Sequence, residues 1–475
     1  MTATLSVLSA TVARAAVEIS SKPTQNMSCQ AGVCSPTAQK AVLNVGDLAS
    51  MLASGDVTIS SGSLAQDIEI DAKLNWVSTH RLTLDSYHAI LFNKPVLVAG
   101  TGALTITTND GGKDGDFRFF GKGHIEFWDL DSSLVINGHG YNLVKGIKDI
   151  NKNGGAYAAL AKSFSLKRKI YSKAPIESVN VLEGLGNTIS DLTIVDTNPD
   201  DLVGLVENLE MQGAIRDVRL VSVDIHTSSE CVGALVAAAA GNVLNSYATG
   251  EITVDSVIPS TIGGLVCAGE NVANSCASVA ISVTGTATGS VVGGMMGVNF
   301  GACFGLQCTG VITGSYSTGT VVGVDGTMVG GLVGQNLGGV ILNSYATGAV
   351  SVGSDGFAGG LVGSNENNPS EQADPVIANS YSTGSVSGGS GAVVGGLIGQ
   401  DLADPGITDA YWDTDTSGVN NPEQGAGNIA NDPGITGLTT EQFKSGLPAG
   451  FDKKVWKEKA GINGGYPYLI DLPPG

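Results

Sequence analysis

The sequence predicts an all-β protein wound as a solenoid of stacked coils, and three observations carry that prediction. The first is a repeated phrase. Residues 329–348, VGGLVGQNLGGVILNSYATG, join two short β-type runs through a Gly-rich corner, and the pair recurs along more than two hundred residues. The second is spacing. The central apolar residue of the first run falls at Leu205, Leu235, Leu265, Met295, Leu332, Leu361 and Leu397, in steps of 30, 30, 30, 37, 29 and 36. Such a period, with occasional insertions, marks coils that bury their apolar faces only against one another. The third is composition. Glycine supplies 68 of 475 residues, twice the ordinary share of about 7%. Val, Ala, Ser and Thr replace aromatics and charges, which suits short strands joined by tight corners. No strict Gly-X-Y period appears, so a collagen helix is excluded.

Charge narrows the partners. Lys and Arg number 24 against 44 Asp and Glu, a net charge of -20. That surface repels phosphate backbones and anionic lipid, which argues against nucleic-acid binding. No apolar run reaches the ~18 residues of a spanning helix, so no membrane span is expected.

In chain order, residues 1–16 (MTATLSVLSATVARAA) read as the back half of a secretory signal, with an A-x-A site at Ala13-Arg14-Ala15 and no basic stretch before it. Residues 17–40 lack periodicity and read as a linker, so 1–40 form a truncated signal-like leader and linker. Gly46 to Leu52 fits one or two helical turns capped by Asp47. Residues 41–140 hold apolar phrases at close intervals, from Val57-Ile59 to Leu134-Ile136, separated by turn residues. That is a strand ladder without room for crossover helices, compatible with coils of roughly twenty residues or with a sandwich.

Residues 141–175 concentrate positive charge, including Lys145, Lys148, Lys152, Lys162, Lys167, Arg168, Lys169 and Lys173. Leu143, Ile147 and Ile150, then Tyr157, Leu160 and Phe164, have helical spacing, so a solvated, partly helical insertion is expected. The long repeat fills 176–412. Its second run supplies a column of Asn245, Asn274, Gly314, Asn343, Asn379 and Asp409, then a Ser column, then Tyr247, Cys276, Tyr316, Tyr345, Tyr381 and Tyr411. Strict strand alternation puts Asn and Tyr on the face of Val243, Val272 and Ile341, pointing inward, and Ser outward. A parity switch at Gly250, Gly319, Gly348 or Gly384 then returns Ile252, Ile281, Val321, Val350 and Val386 to the interior. The Thr column (Thr249, Thr318, Thr347, Thr383) falls with Tyr or in that corner. Residues 413–475 are loop-rich, with a helical candidate at 439–444, and are assigned as a C-terminal cap over the open end.

Seven cysteines are an odd count. Cys29/Cys34 and Cys303/Cys308 are C-x4-C pairs, and Cys267 and Cys276 lie nine apart. Zinc spacing is missing. Local disulfides and small apolar fillers at Cys231, Cys267 and Cys276 both stay open.

The GGLVG…NSYATG phrase resembles the GLUG repeat of bacterial surface proteins. The phrase LEGLGNTISDLTI at 182–194 resembles the segment leading into such arrays, and residues 42–140 resemble the region ahead of them. YWDTDTSG, GLTTEQF, LPAGFDKKVW and INGGYPYL resemble the closing segment of filamentous-haemagglutinin-like exoproteins. The resemblance covers about nine tenths of the chain. It implies a right-handed parallel β-helix exported by two-partner secretion, with an outer-membrane secretion partner, acting at the cell surface as an adhesin on a glycan or protein ligand. The NPNG-type motifs of that family's secretion domain have no counterpart here, which leaves a fragment without that domain or another export route.

GLUG repeats also occur in IgA-cleaving metalloproteases, but His80, His88, His124, His139 and His226 never form H-E-x-x-H. A β-helix lyase or hydrolase needs clustered carboxylates, and Asp224, His226 and Glu251 are the group that adjacent coils would bring near one another. Asp413 to Gly418 mimics half an EF-hand loop, but Gln424 stands where a bidentate Glu belongs, so an Asx-bonded turn is favoured. The function read from the sequence is therefore a secreted or surface-displayed, non-catalytic adhesin-like scaffold, with a β-helix carbohydrate-active enzyme as the alternative. No catalytic, cofactor-binding or metal residue is assigned, and loops 299–307 and 366–375 are the candidate contact sites.

Overall fold

The computed structural model describes residues 15–152, 157–167, 169–304, 307–308, 310–403 and 406–474. The leader over 1–14 and Arg168 of the basic stretch lie outside the described residues. The chain divides into two compact units: Met1–Lys145 with Tyr157–Lys162 and Leu185–Asn187, and Gly146–Ala156 with Ser163–Gly184 and Thr188–Gly475. Each is built of stacked parallel strands, as a β-helix requires. Among the described residues no helix is long and apolar enough to cross a membrane.

In the first unit three strand stacks form the walls. Lys40–Asn44, Ala16–Ser20, Asp67–Ile70, Ile90–Phe92 and Phe117–Phe119 make one. Leu74–Trp76, Val96–Val98 and Ile125–Phe127 make the second. Val57–Ser60, Arg81–Asp85, Ala103–Thr107 and Ser133–Ile136 make the third. Every pairing among these is parallel, which separates coils from a sandwich. Ile68 pairs with Ile90, twenty-two residues on, and Leu82, Leu104 and Leu134 stack in one buried column.

The stretch expected as a linker is part of this unit. Ala16–Ser20 is a wall strand with Val17 and Ile19 fully buried. Met27–Gln30 and Val33–Pro36 form a hairpin closed by a Cys29–Cys34 disulfide. A lone five-residue strand followed by a polar hairpin forms no series of apolar phrases from which a ladder could be read. The helix over Val45–Ser54 is longer than two turns and is capped by Asn44, not Asp47: the Asn44 side chain accepts from the Gly46 and Asp47 amides. Helical spacing in the basic stretch holds only over Ile147–Lys152. Ala158–Leu160 is instead a buried strand beside Asn142–Val144, so the spacing of Tyr157, Leu160 and Phe164 is accidental.

Among the described residues the second unit stacks repeat coils, one wall of which is the seven-stranded ladder that runs from Leu202–Val203 to Val393–Gly395. All seven marker residues, Leu205 to Leu397, are fully buried. Val243, Val272, Ile312, Ile341 and Ile377 stack in a second interior column, and Ile252, Ile281, Val321 and Val350 in a third.

The columns are in register as expected, but two of them face the other way. Asn245, Asn274, Asn343, Asn379 and Asp409 have φ of 47–51°, and Asp217 and Gly314, in the same corner, have 56° and 57°. A left-handed residue reverses the alternation, and Asn, Asp and Gly are the residues that tolerate it. The switch is therefore at the Asn, ahead of the glycines. Ser246, Ser275, Ser315, Ser344 and Ser380 turn inward and are buried, while Tyr and Thr turn outward. Each serine hydroxyl donates to the carbonyl two residues earlier at 2.8 Å. From Ser275 to Ser380 it also accepts the serine amide of the preceding coil at 3.1–3.3 Å, and Ser246 accepts the Val218 amide at 3.2 Å, so the column is a continuous polar ladder.

Asn does stack on Asn, but at another interior position. Asn299, Asn336, Asn365 and Asp401 form a buried ladder, with side-chain bonds of 2.8, 2.9 and 3.1 Å. Replacing Asn336 by Ala orphans the Asn299 amide and the Asn365 carbonyl. A loss of about 2 kcal/mol follows, since a buried polar group without a partner costs about 1–3 kcal/mol. It is read as a lower urea midpoint; an unchanged midpoint would show that the ladder stabilises nothing.

Past the last repeat, Trp412 takes the interior position held by Ala346 and Ser382 in the preceding coils and fills the coil with its buried indole. Ile435–Leu438 adds a final parallel strand to Ile407–Asp413. Residues 439–472 take another course and cover the Tyr column on the outer face. Tyr316, Tyr345 and Tyr381 stack at 4.8 and 5.0 Å, and Phe443, Phe451, Trp456 and Leu469 pack against them. The helix there, Thr440–Phe443, begins in a capping box formed by Thr439 and Gln442. The Asx turn expected at Asp413 forms: its carboxylate accepts the Asp415 and Thr416 amides at 2.8 and 3.2 Å.

Candidate functional site

Two places gather chemistry-bearing side chains, one in each unit. In the second unit, Asp224 and His226 stand two apart on Arg219–Thr227, so they share its outer face. Between and before them, Val223 and Ile225 point inward and are buried, which anchors the strand. Glu251, on Tyr247–Ser256, is the direct register partner of Asp224. His226 Nε2 lies 3.0 Å from Asp224 Oδ1, and one ligand atom from each of the three residues falls within 4.8 Å of the others. Adjacent coils thus bring together the three residues that the sequence marked.

In the first unit a cleft of about 370 Å³ is lined by Gln66, Tyr87, His88, Gly111, Gly112 and Lys113. Asp67 lies beneath it, nearly fully buried. Its Oδ1 is 2.7 Å from His88 Nδ1 and accepts the Ala89 amide at 3.0 Å, which fixes the imidazole. Nearby, burial first, and then the charge and hydrogen bond of Asp110, push the Asp85 carboxyl above its ordinary range. Hydrogen-bonded carboxyls sit closer than the ~5–5.5 Å that lets two carboxylates flank a glycosidic bond. Sequence reasoning missed this cleft because its residues come from irregular turns. The Tyr87-His88 pair and the Gly111-Gly112 turn carry no period that would have marked them.

The two loops named from the sequence differ. Asn368 bridges to Ala373 and donates its Nδ2 to the Gly301 carbonyl at 3.0 Å, so loop 366–375 is tied to the start of loop 299–307. Residues 305–306 of loop 299–307 lie outside the described residues. Among the cysteines, Cys231 and Cys267 form a disulfide, which settles the filler alternative for that pair, and Cys276 is a free thiol. The Cys303 and Cys308 backbones pair antiparallel.

A family match agrees with the repeat geometry. Residues 325–351 and 358–387 match the GLUG motif family. They cover the fifth and sixth coils. Over 206 residues, 38% of the chain, the sequence is 30% identical to Halomucin of Haloquadratum walsbyi, of which it spans 2%. Among solved structures, an IgA1 protease aligns at 17% identity and a TM-score of 0.39, over 61% of this chain and 23% of that one. The chain therefore spans a small part of each of these relatives.

Proposed function

We propose that the protein is a non-catalytic, adhesin-like β-solenoid displayed at the cell surface or secreted, holding a surface glycan or protein ligand through its loops. The observation that carries this reading is the stack of repeat coils, whose interior is largely apolar with polar ladders bonded coil to coil, and whose outer face presents ordered positions at a rise of about 4.8 Å. Such a wall is a rigid display surface, and loops at fixed solenoid positions are where binding is carried. The GLUG match and the partial similarity to Halomucin support surface placement. Export through an outer-membrane partner, in the manner of filamentous-haemagglutinin-like proteins, belongs to the same proposal.

A carbohydrate-active enzyme is the second reading, and the cleft beside the His88–Asp67 pair is what favours it. One experiment separates the two. The full chain is screened against glycans and matrix proteins, and acidic polysaccharides are assayed for cleavage alongside. Saturable binding without turnover is expected. Turnover that is lost in His88→Ala would replace the scaffold with the enzyme.

A further inference from the structure

We propose that Asp224, His226 and Glu251 form a site for one divalent transition-metal ion of the zinc class, independent of the scaffold reading. Three features point there. The first is spacing. Two ligands bound tetrahedrally at about 2.0–2.1 Å from zinc are themselves roughly 3.3 Å apart. His226 Nε2 and Asp224 Oδ1 already lie 3.0 Å apart, and one ligand atom from each of the three residues, Glu251 included, lies within 4.8 Å of the others. A rotamer adjustment at exposed side chains closes the remainder without moving backbone.

The second feature is charge. Asp224 Oδ1 is shut off from solvent and makes no hydrogen bond other than its contact with His226. An acceptor oxygen facing a ring nitrogen at this distance needs a positive centre between or beside them, a proton or a metal ion. Glu251 stands directly across the ladder from Asp224, and like charges paired this way are destabilising. A divalent cation removes both penalties at once.

The third feature is the donor set and its rigidity. One imidazole with two carboxylates suits zinc, cobalt or manganese, whereas calcium and magnesium prefer oxygen alone. The three residues stand on adjacent strands fixed from inside by the buried Ile225 and Ile252, so the backbone positions that carry the ligands are set before the ion arrives. Three protein ligands leave a coordination position for water or an outside group.

The test uses the full chain, stripped with a chelator and titrated with Zn²⁺ and, separately, with Co²⁺, by calorimetry and by the visible ligand-field absorption of bound cobalt. One equivalent of ion per chain is expected, with a rise in melting temperature. His226→Ala and Glu251→Gln should each weaken binding by roughly tenfold or more. Both side chains are on the outer face, so each metal-free variant should keep the parent's far-ultraviolet dichroism and cooperative unfolding, which separates loss of ligand from loss of fold. Thr253→Ala, the register neighbour of His226, should leave binding unchanged. Lack of stoichiometric binding overturns the proposal, as does undiminished binding in both variants or a preference for Ca²⁺ over Zn²⁺.

Discussion

Replacing Gly330 by Val should unfold the repeat unit at markedly lower denaturant, with a loss of more than about 3 kcal/mol, because overpacking against backbone has no side chain to yield. A Cβ at Gly330 would stand 1.9 Å from the Val333 carbonyl oxygen and 2.6 Å from the Gly363 nitrogen. The same collision awaits at Gly263, Gly293, Gly359 and Gly395, where the carbonyl of the residue three further on lies 1.8–1.9 Å away. The constraint is contact and not dihedral angle. The chain folds back on itself at this corner while the next coil presses from above, and only a residue without a side chain fits. Leu332→Ala is the reference: it leaves a cavity, at about 2–5 kcal/mol, but breaks no backbone contact. Gly55→Ala is the control, since a Cβ there meets nothing within 4 Å. Urea midpoints followed by circular dichroism decide the matter. A Gly330→Val midpoint equal to that of Gly55→Ala would remove close approach as the reason for the glycine column.

A second corner, at Asn343, shows what the sequence discloses and what it hides. Repetition made the columns visible, since seven coils sample each position and chance likeness averages out. Direction was harder. Asn343 reads as an ordinary strand residue, and alternation carried through it sends Ser344 out and Tyr345 in. The clue lay in the whole column: Asp217, Asn245, Asn274, Gly314, Asn343, Asn379 and Asp409 are drawn from the three residue types that accept a positive φ. A column restricted to these types is a statement about backbone, not about buried amides. Asp224 and Glu251 were legible as neighbours for the converse reason, because Ile225 and Ile252 share a column and register carries their flanking residues along. The His88–Asp67 cleft had no such help. It joins turns of an irregular front half, where pairing depends on contacts that no repeat advertises. Cys231 and Cys267 meet for a reason equally silent in one dimension: residues 36 apart become neighbours only once the coil length is known.

Alkaline pH should strip the closing segment from the repeat in one cooperative step. Tyr316, Tyr345 and Tyr381 are stacked and buried beneath residues 439–472. Burial holds all three phenols well above their ordinary range, reinforced for Tyr316 and Tyr345 by the neighbouring Cys276 thiol and for Tyr381 by Tyr345. The Cys276 thiol is itself pushed up to about 11 by burial, and the Tyr466 phenol to about 12, by burial first and then by its hydrogen bond to Asp413. The folded state keeps its phenolic protons where the unfolded chain, titrating near the ordinary value of about 10, gives them up. Their contribution is therefore whole below pH ~10 and falls as pH rises toward the folded values. Three phenols released together give a slope of about 4 kcal/mol per pH unit, enough to overcome a local segment within one or two units. Tyrosinate absorbance should rise in two waves: a gradual one from half-buried tyrosines such as Tyr171 and Tyr247, and a later, steep one coincident with loss of the near-ultraviolet dichroism. Trp456→Ala, which removes a ring 6.0 and 5.8 Å from Tyr345 and Tyr381, should bring the steep wave to lower pH while leaving the gradual one in place. If all the tyrosines titrate in a single wave with the dichroism intact, the phenols are open to water and the segment does not seal that face.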